Sequence, residues 1–421
     1  MRKRMIDDDR FIINIDNKYY VVNEYTFDII NLYSNNKDIN YIAKDLKMSK
    51  FKLRRKLNKL QKEIANIEYY DNNIDLNFPL KVQWKITNKC NLKCKHCYLG
   101  KLNNNELDDK KLMSIAKKIV ESNIMEVTIT GGEALLVKTL PEIVALLIEN
   151  DIKVNIFTNA ILLEKFEKEL IDILGYIPFD SLDFFISIDG LEESHEKIRG
   201  KGTFKKTINN IKLVVSKGYR VTTNSVLSKL NYKDIPKLYE MLCKIGVYKI
   251  QISNLIDSGS ANSNMKLNKE EQDGFIKELK KVLRKLDMGS KLLYAQMPDE
   301  ECNSEIYLLN KDKVEYLQTE KWKCSAGIGK CTIDYNGDVY CCPFIKNYCL
   351  GNLVTSDIEK VWYNKKRYEF LKLIARENNN SRVCIAAKQR VERNKWVITD
   401  KTIEGGEYSE KNFCCSKKNF C

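Results

Sequence analysis

An α/β protein built on a parallel sheet is the fold class this sequence predicts, with a small N-terminal unit in front and a cysteine-rich extension behind. Three observations predict it. Strand-like and helix-like runs alternate from about 78 to 290; residues 1–75 read as a hairpin followed by three helical stretches; and nine of the fourteen cysteines fall at or after Cys324. Alternating βα units without an antiparallel signature build parallel sheets with helices outside.

In the N-terminal unit, "RFIINIDNKYYVVN" gives two strand-like runs around Asp16-Asn17-Lys18, a hairpin signal. A short helix follows across Phe27, Ile29, Ile30 and Tyr33. Ile39, Ile42, Ala43 and Leu46 sit at helical spacing behind Asp38 as cap, and Leu53, Leu57, Leu60 and Ile64 mark a third helix capped by Ser49. Hairpin plus three helices is a winged-helix-like outline. Seven basic residues and no acidic one lie between Lys50 and Lys62.

The central segment carries "KVQWKIT", "EVTITGG", "KVNIFTNA", "LDFFISIDG", "RVTTNSVL" and "YKIQISN" as strands, with stretches such as "DDKKLMSIAKKIVESN" and "NYKDIPKLYEMLCKIG" as helices. Parallel sheets place chemistry at the carboxyl ends of their strands. Residues 315–421 lose the alternation. "TIDYNGDVYCC" reads as a hairpin with Asn336-Gly337 at a turn where both central residues need positive φ, and "DIEKVWYNKKRYEFLKLIARE" reads as one helix.

Composition bounds the function. The chain of 421 residues carries a net charge of +14, which fits a solvated surface or attraction to nucleic acid or an acidic peptide. No apolar run reaches the roughly 18 residues of a membrane helix. The start "MRKRMIDDDR" has no apolar core of a signal peptide. A soluble, cytoplasmic protein without a membrane partner is expected. In a reducing compartment, fourteen cysteines point to metal or redox chemistry rather than disulfides. With only His96 and His195, imidazole catalysis is not expected.

The sharpest motif is "NKCNLKCKHCYLG", which places Cys90, Cys94 and Cys97 in a C-x3-C-x2-C pattern just after the first central strand. Zinc would need a fourth ligand, for which His96 is the nearby candidate. A [4Fe–4S] cube instead takes three thiolates and leaves one iron open for a substrate or cofactor.

This pattern resembles the radical S-adenosylmethionine (SAM) superfamily, and later strand ends extend the resemblance. "TGGEALL" holds Gly131, Gly132 and Glu133 at a motif that in the family contacts the SAM amino group; "TNA" holds Asn159; "SIDG" holds Ser187 and Asp189, suited to ribose hydroxyls or the methionyl carboxylate; "HEKIRGKGTF" holds Arg199, which in relatives lies near that carboxylate. Ser253 and Asn254 fall where relatives flank adenine. The resemblance implies a partial (β/α)6 barrel, SAM bound to a [4Fe–4S] cluster on Cys90, Cys94 and Cys97, and a 5′-deoxyadenosyl radical.

Cys324, Gly337 and Cys342 fit C-x12-G-x4-C, and "LGNL" follows Cys349. This resembles the SPASM or twitch extension, which implies one or two auxiliary iron–sulfur clusters, with Cys324, Cys342 and Cys384 as the preferred ligands. The remaining spacing departs from the family, leaving Cys414, Cys415 and Cys421 at the end of the chain. Cys243 and Cys302 read as buried or bystander thiols, and Cys331 and Cys341 as structural or substitute ligands.

Residues 1–75 resemble the recognition element of enzymes that mature ribosomally made peptides. Together the resemblances imply three units: a leader-binding domain (1–75), a radical SAM core (78–290) and a SPASM-like domain (315–421). They imply a precursor peptide bound through its leader, a flavodoxin- or ferredoxin-type electron donor, and a Cys thioether crosslink of the sactipeptide or ranthipeptide kind. Carbon–carbon crosslinking and an iron–sulfur DNA-binding regulator are the alternatives, and no nucleic-acid partner is expected under the first reading.

Overall fold

A computed structural model describes residues 78–99, 106–122, 124–255, 258–285 and 326–380, six short strands outside these, and Phe27, Ser49 and Leu53. Strands β1 (Arg2–Met5), β2 (Arg10–Ile15) and β3 (Lys18–Asn23) form an antiparallel sheet in that order. The hairpin β2–β3 is the expected one, closing at Ile15↔Lys18. Strand β1 is an addition: its "RKRM" run has no apolar alternation, and it pairs along β2 through the backbone, from Arg2↔Asn14 to Met5↔Phe11. The Leu53 amide donates to the Ser49 carbonyl at 2.9 Å, the first-turn bond a cap at Ser49 makes. The expected helices of this unit, the rest of the basic Lys50–Lys62 segment and the winged-helix outline lie outside the described residues.

The six expected central strands are present and mutually parallel: β4 (Lys81–Thr87), β5 (Glu126–Gly131), β6 (Lys153–Thr158), β7 (Leu182–Ser187), β8 (Arg220–Leu227) and β9 (Lys249–Asn254). Between and after them run α1 (Asp109–Val120), α2 (Leu140–Glu149), α3 (Leu163–Leu174), α4 (Glu192–Arg199), α5 (Thr203–Ser216), α6 (Ile235–Ile245) and α7 (Lys269–Lys285). Helix α1 starts where Asp108 accepts the Lys111 amide at 2.9 Å, satisfying one of the free N–H groups of the first turn.

Period-two alternation sorts each strand. Val82, Trp84 and Ile86 of β4 and Leu182, Phe184 and Ile186 of β7 are buried in the core that the helices cover. The opposite face is polar. Near the strand starts it is tied by Lys81–Glu126 (2.8 Å), Asn155–Glu126 (2.9 Å), Lys153–Asp183 (2.8 Å) and Arg220–Asp183 (3.0 Å). One step nearer the carboxyl ends, Phe157 and Phe185 stack at 4.5 Å on this same face.

The sheet continues past the expected boundary at 290. Strand β10 (Leu292–Ala295) adds in parallel to β9, and β11 (Ile306–Leu309) and β12 (Val314–Leu317) follow antiparallel. At the other end β13 (Lys330–Ile333) lies parallel to β4, and β14 (Asp338–Cys342) and β15 (Ile345–Asn352) extend the edge. The C-terminal hairpin therefore shares one twelve-stranded sheet with the core.

Two local expectations are corrected. At the β13–β14 turn only Gly337 has positive φ, at 88°; Asn336 does not. The Gly337 amide donates to Asp334 O (2.9 Å) and the Asp334 amide to Asp338 O (2.8 Å), which is a type I turn closed by a left-handed glycine. The C-terminal helical stretch is two helices, α8 (Ile358–Trp362) and α9 (Lys365–Asn380), separated where Asn364 accepts the Lys366 amide at 2.9 Å. No helix among the described residues is long and apolar enough to cross a membrane.

Candidate functional site

The loop after β4 carries the three thiols, and almost every neighbouring strand end fastens it. Glu106 accepts from Thr87 Oγ1 (2.7 Å) and from the amides of Asn88 (2.8 Å) and Lys89 (2.9 Å), bracketing the loop's entry. From the end of β5, the Gly132 amide donates to Thr87 O (2.9 Å) and the Glu133 amide to Lys89 O (2.8 Å). A Cβ at Gly132 would stand 2.2 Å from Lys89 O, so the glycine admits the loop's own backbone rather than a ligand. From β6, Asn159 Nδ2 donates to Asn91 Oδ1 at 2.8 Å. Beyond β7, Ile198 O accepts the Lys95 amide (3.0 Å), and beyond β9 the Ser260 amide donates to Cys97 O (2.8 Å).

Glu133 is 1% exposed, and its carboxylate already accepts from Thr158 Oγ1 (2.6 Å), the Asn159 amide (2.8 Å) and the Leu135 amide (3.2 Å). Burial pushes its carboxyl above the usual range, against those donors. Its oxygens tie the turn after β5 to the end of β6. Asn159 is buried, and its carbonyl is held by Thr207 Oγ1 at 3.1 Å, while Asn210 Nδ2 holds Ala160 O at 2.6 Å. These bonds secure Ala160 at φ 65°.

Asp189 is wholly buried and makes internal contacts. Its Oδ2 meets His96 Nε2 (2.7 Å) and Arg199 Nε (2.5 Å), and Oδ1 accepts the Val226 amide (2.8 Å). Burial would raise this carboxyl, but Arg199 and then His96 outweigh it and hold it well below the carboxylate range. His96 Nε2 is engaged with Asp189, which leaves Nδ1 as its one ring nitrogen for any further contact. His195 Nδ1 accepts the Asp189 amide (3.1 Å), and burial lowers its pKa to about 4, so the ring is neutral at pH 7. Ser187 ends β7 half-buried opposite Asn224, whose Oδ1 accepts from Ser253 Oγ at 2.8 Å. Asn254 ends β9.

Cys90, Cys94 and Cys97 are free and half-buried. Burial raises the Cys94 thiol to about 11 and lifts Cys90 as well, so these two need a cationic centre to become thiolates. Arg199 Nη1 adds an N–H contact to Cys94 Sγ at 3.8 Å. Among the described residues no three His, Cys, Asp or Glu side chains converge as a single-ion site. Thiols spread along one loop, each free for its own iron, fit a cluster better than a lone metal.

In the hairpin, Cys331 and Cys341 are buried core thiols, Cys349 is half-buried with Sγ 3.6 Å from Gly351 O, and Cys342 emerges at the end of β14. Cys243 is buried in α6. Cys302, Cys324, Cys384, Cys414, Cys415 and Cys421 lie outside the described residues. Between loop and hairpin, Lys85 Nζ stands 3.6 Å from Asp334, which also binds Lys346 at 2.8 Å, and Tyr98 meets Phe344 edge-on at 6.2 Å.

The sequence reading did not select Glu106, Asn91, Thr158, Thr207 or Asn210. Each acts across a long loop closure, and only the polar type of the residue is visible locally.

The thiol loop and the C-terminal hairpin fall within segments that match two known domain families. Residues 84–242 match the radical SAM superfamily and residues 324–386 match SPASM, an iron–sulfur cluster-binding domain. With these domains come SAM and a [4Fe–4S] cluster, and auxiliary clusters in the C-terminal unit. The chain is 29% identical over 196 residues to the sporulation killing factor maturation protein SkfB of Bacillus subtilis, covering 46% of this chain and about half (47%) of that protein. It is 25% identical over 334 residues to the Fe-coproporphyrin III synthase of Methanosarcina barkeri, covering 75% of this chain and 80% of that one. Streptococcus suis SuiB bound to the precursor peptide SuiA shares the fold, with TM-score 0.60 and 18% identity over 86% of this chain and 87% of that one.

Proposed function

We propose that this chain is a radical SAM peptide maturase that joins a cysteine sulfur of a ribosomally made precursor to a peptide carbon, giving a thioether. The observation that carries the reading is the loop of three free thiols, on a sheet whose next strand opens the SPASM hairpin. The similarity to SkfB and the fold shared with peptide-bound SuiB support a peptide substrate. They also favour an enzyme over a DNA-binding regulator.

Cys90, Cys94 and Cys97 would hold the cluster, and SAM bound with it would supply one-electron carbon–sulfur cleavage and hydrogen abstraction. The chain's own residues hold and shield that chemistry. The strand-end bracket fixes the loop, and the ion-paired floor closes the polar face below. The Phe157–Phe185 stack lines the space between with aromatic C–H bonds, which resist abstraction. The leader peptide adds a strand to the β1–β3 sheet, raising the local concentration of the core peptide. A flavodoxin- or ferredoxin-type donor provides the electron.

The test is anaerobic incubation of the reconstituted chain with SAM, dithionite and a short cysteine-containing candidate precursor peptide. Loss of two hydrogen atoms from the peptide with release of 5′-deoxyadenosine supports the reading. Release of 5′-deoxyadenosine without peptide change, or formation of iron-coproporphyrin III from a tetrapyrrole precursor instead, defeats it. The tetrapyrrole is the second reading, favoured by the longer alignment with the synthase.

A further inference from the structure

We propose that Arg199 is a positioning residue that raises the reduction potential of the cluster on Cys90, Cys94 and Cys97, and that Asp189 acts on the same potential with opposite sign. The inference rests on the cofactor set and not on the identity of the substrate.

Asp189, at the end of β7, grips the cysteine loop with two arms. One runs directly to His96, between the second and third cysteines; the other runs to Arg199 Nε, whose Nη1 reaches Cys94 Sγ at 3.8 Å. The Ile198 carbonyl, one residue before Arg199, holds the Lys95 amide, one residue after Cys94. The guanidinium thus cannot swing away from the sulfur without breaking bonds on both sides. Its side chain is 9% exposed and that of Asp189 is 0% exposed, so little water screens either charge.

Reduction adds one negative charge to the cluster. A buried cation donating N–H to a ligating sulfur stabilises that charge, and hydrogen bonds to the sulfurs are among the levers on iron–sulfur potentials. A buried carboxylate behind the cation opposes it. Glu133 and Lys85 also carry charge that acts on Cys90 and Cys97, and neither residue is altered in the Arg199 or Asp189 variants. The step is transfer of one electron from a low-potential donor of the flavodoxin or ferredoxin class to the oxidised cluster, with no bond made or broken.

The experiment is a potentiometric titration of the reconstituted full chain with dithionite, followed by electron paramagnetic resonance, without SAM or peptide. In Arg199→Lys and Arg199→Gln, the ratio of reduced to oxidised cluster at a fixed potential should fall about tenfold, equivalent to about 59 mV for one electron. In Asp189→Asn it should rise. A merely structural role would move all three the same way or not at all, and either pattern overturns the proposal. It is also overturned if Arg199→Lys keeps the wild-type potential while SAM affinity drops, because Arg199 then reads the cofactor's carboxylate instead. If the Arg199 variants fail to load iron, the sign of the shift in Asp189→Asn decides alone.

Discussion

Two cysteine-bearing regions of this chain are built in opposite ways. The loop after β4 has no regular structure of its own; Glu106, Gly132, Glu133, Asn159, Ile198, Arg199 and Ser260 hold it from outside. The β13–β14 hairpin holds its cysteines by strand geometry. Cys341 is 1% exposed in the core, whereas its neighbour Cys342 stands half-buried at the strand end. In the loop a thiol's availability depends on distant partners; in the hairpin it depends on which side of a pleat the residue falls. The same residue type is thus a ligand candidate or a packing group according to how its backbone is held.

The largest effect that tests this contrast is Cys94→Ala, which should bring 5′-deoxyadenosine release below detection while the fold, read by circular dichroism, stays native. Next is Gly132→Ala. Its Cβ would press on Lys89 O at 2.2 Å, so the variant should lose about 1–3 kcal/mol in a urea titration and bind less iron per chain. Unchanged iron loading would show that the bracket is dispensable.

The hairpin should separate its cysteines. Cys342→Ala should keep 5′-deoxyadenosine release and lose peptide crosslinking. Cys341→Ser should instead keep its iron and lose about 1–3 kcal/mol of stability, because a hydroxyl is poorly matched to a core site.

The smallest effect concerns pH. His195 beside the loop has its pKa lowered by burial to about 4, below the ordinary value of about 6.5. Its contribution to stability is complete above about pH 6.5 and is lost as the pH falls towards 4. Asp334 in the hairpin is the reverse type: burial would raise its carboxyl, but Lys346 and then Lys85 outweigh this and hold it below the ordinary value. Its contribution survives down to about pH 4 and is lost only below that. Hydrogen exchange between pH 7 and about 4.5 should therefore show protection falling around residues 189–199 before it falls around 331–346. Equal loss in both would remove the distinction.

Strands β4 and β8 occupy the residues read as strand-like runs, and in β4 the alternating Val82, Trp84 and Ile86 advertise the period directly. The three-cysteine loop was equally legible. What could not be read was pairing at a distance. That β13 would lie beside β4 is encoded in no local pattern, and neither is the bond between His96 and Asp189, 93 residues apart. The glycines of "TGGE" were visible as a demand for close approach, but what approaches is the Thr87–Lys89 backbone. Asn336 misled because Asn-Gly favours a two-residue turn, whereas the hydrogen bonds chose a longer one with Gly337 alone left-handed.

Strand β13 runs from Lys330↔Lys81 to Ile333↔Trp84, against the strand that launches the cysteine loop. The platform for the first cluster and the scaffold of the C-terminal hairpin are thus one continuous hydrogen-bonded ribbon without an intervening hinge. The separation between the Cys90–Cys97 loop and the Cys342 end of the hairpin is therefore set by strand pairing when the sheet forms.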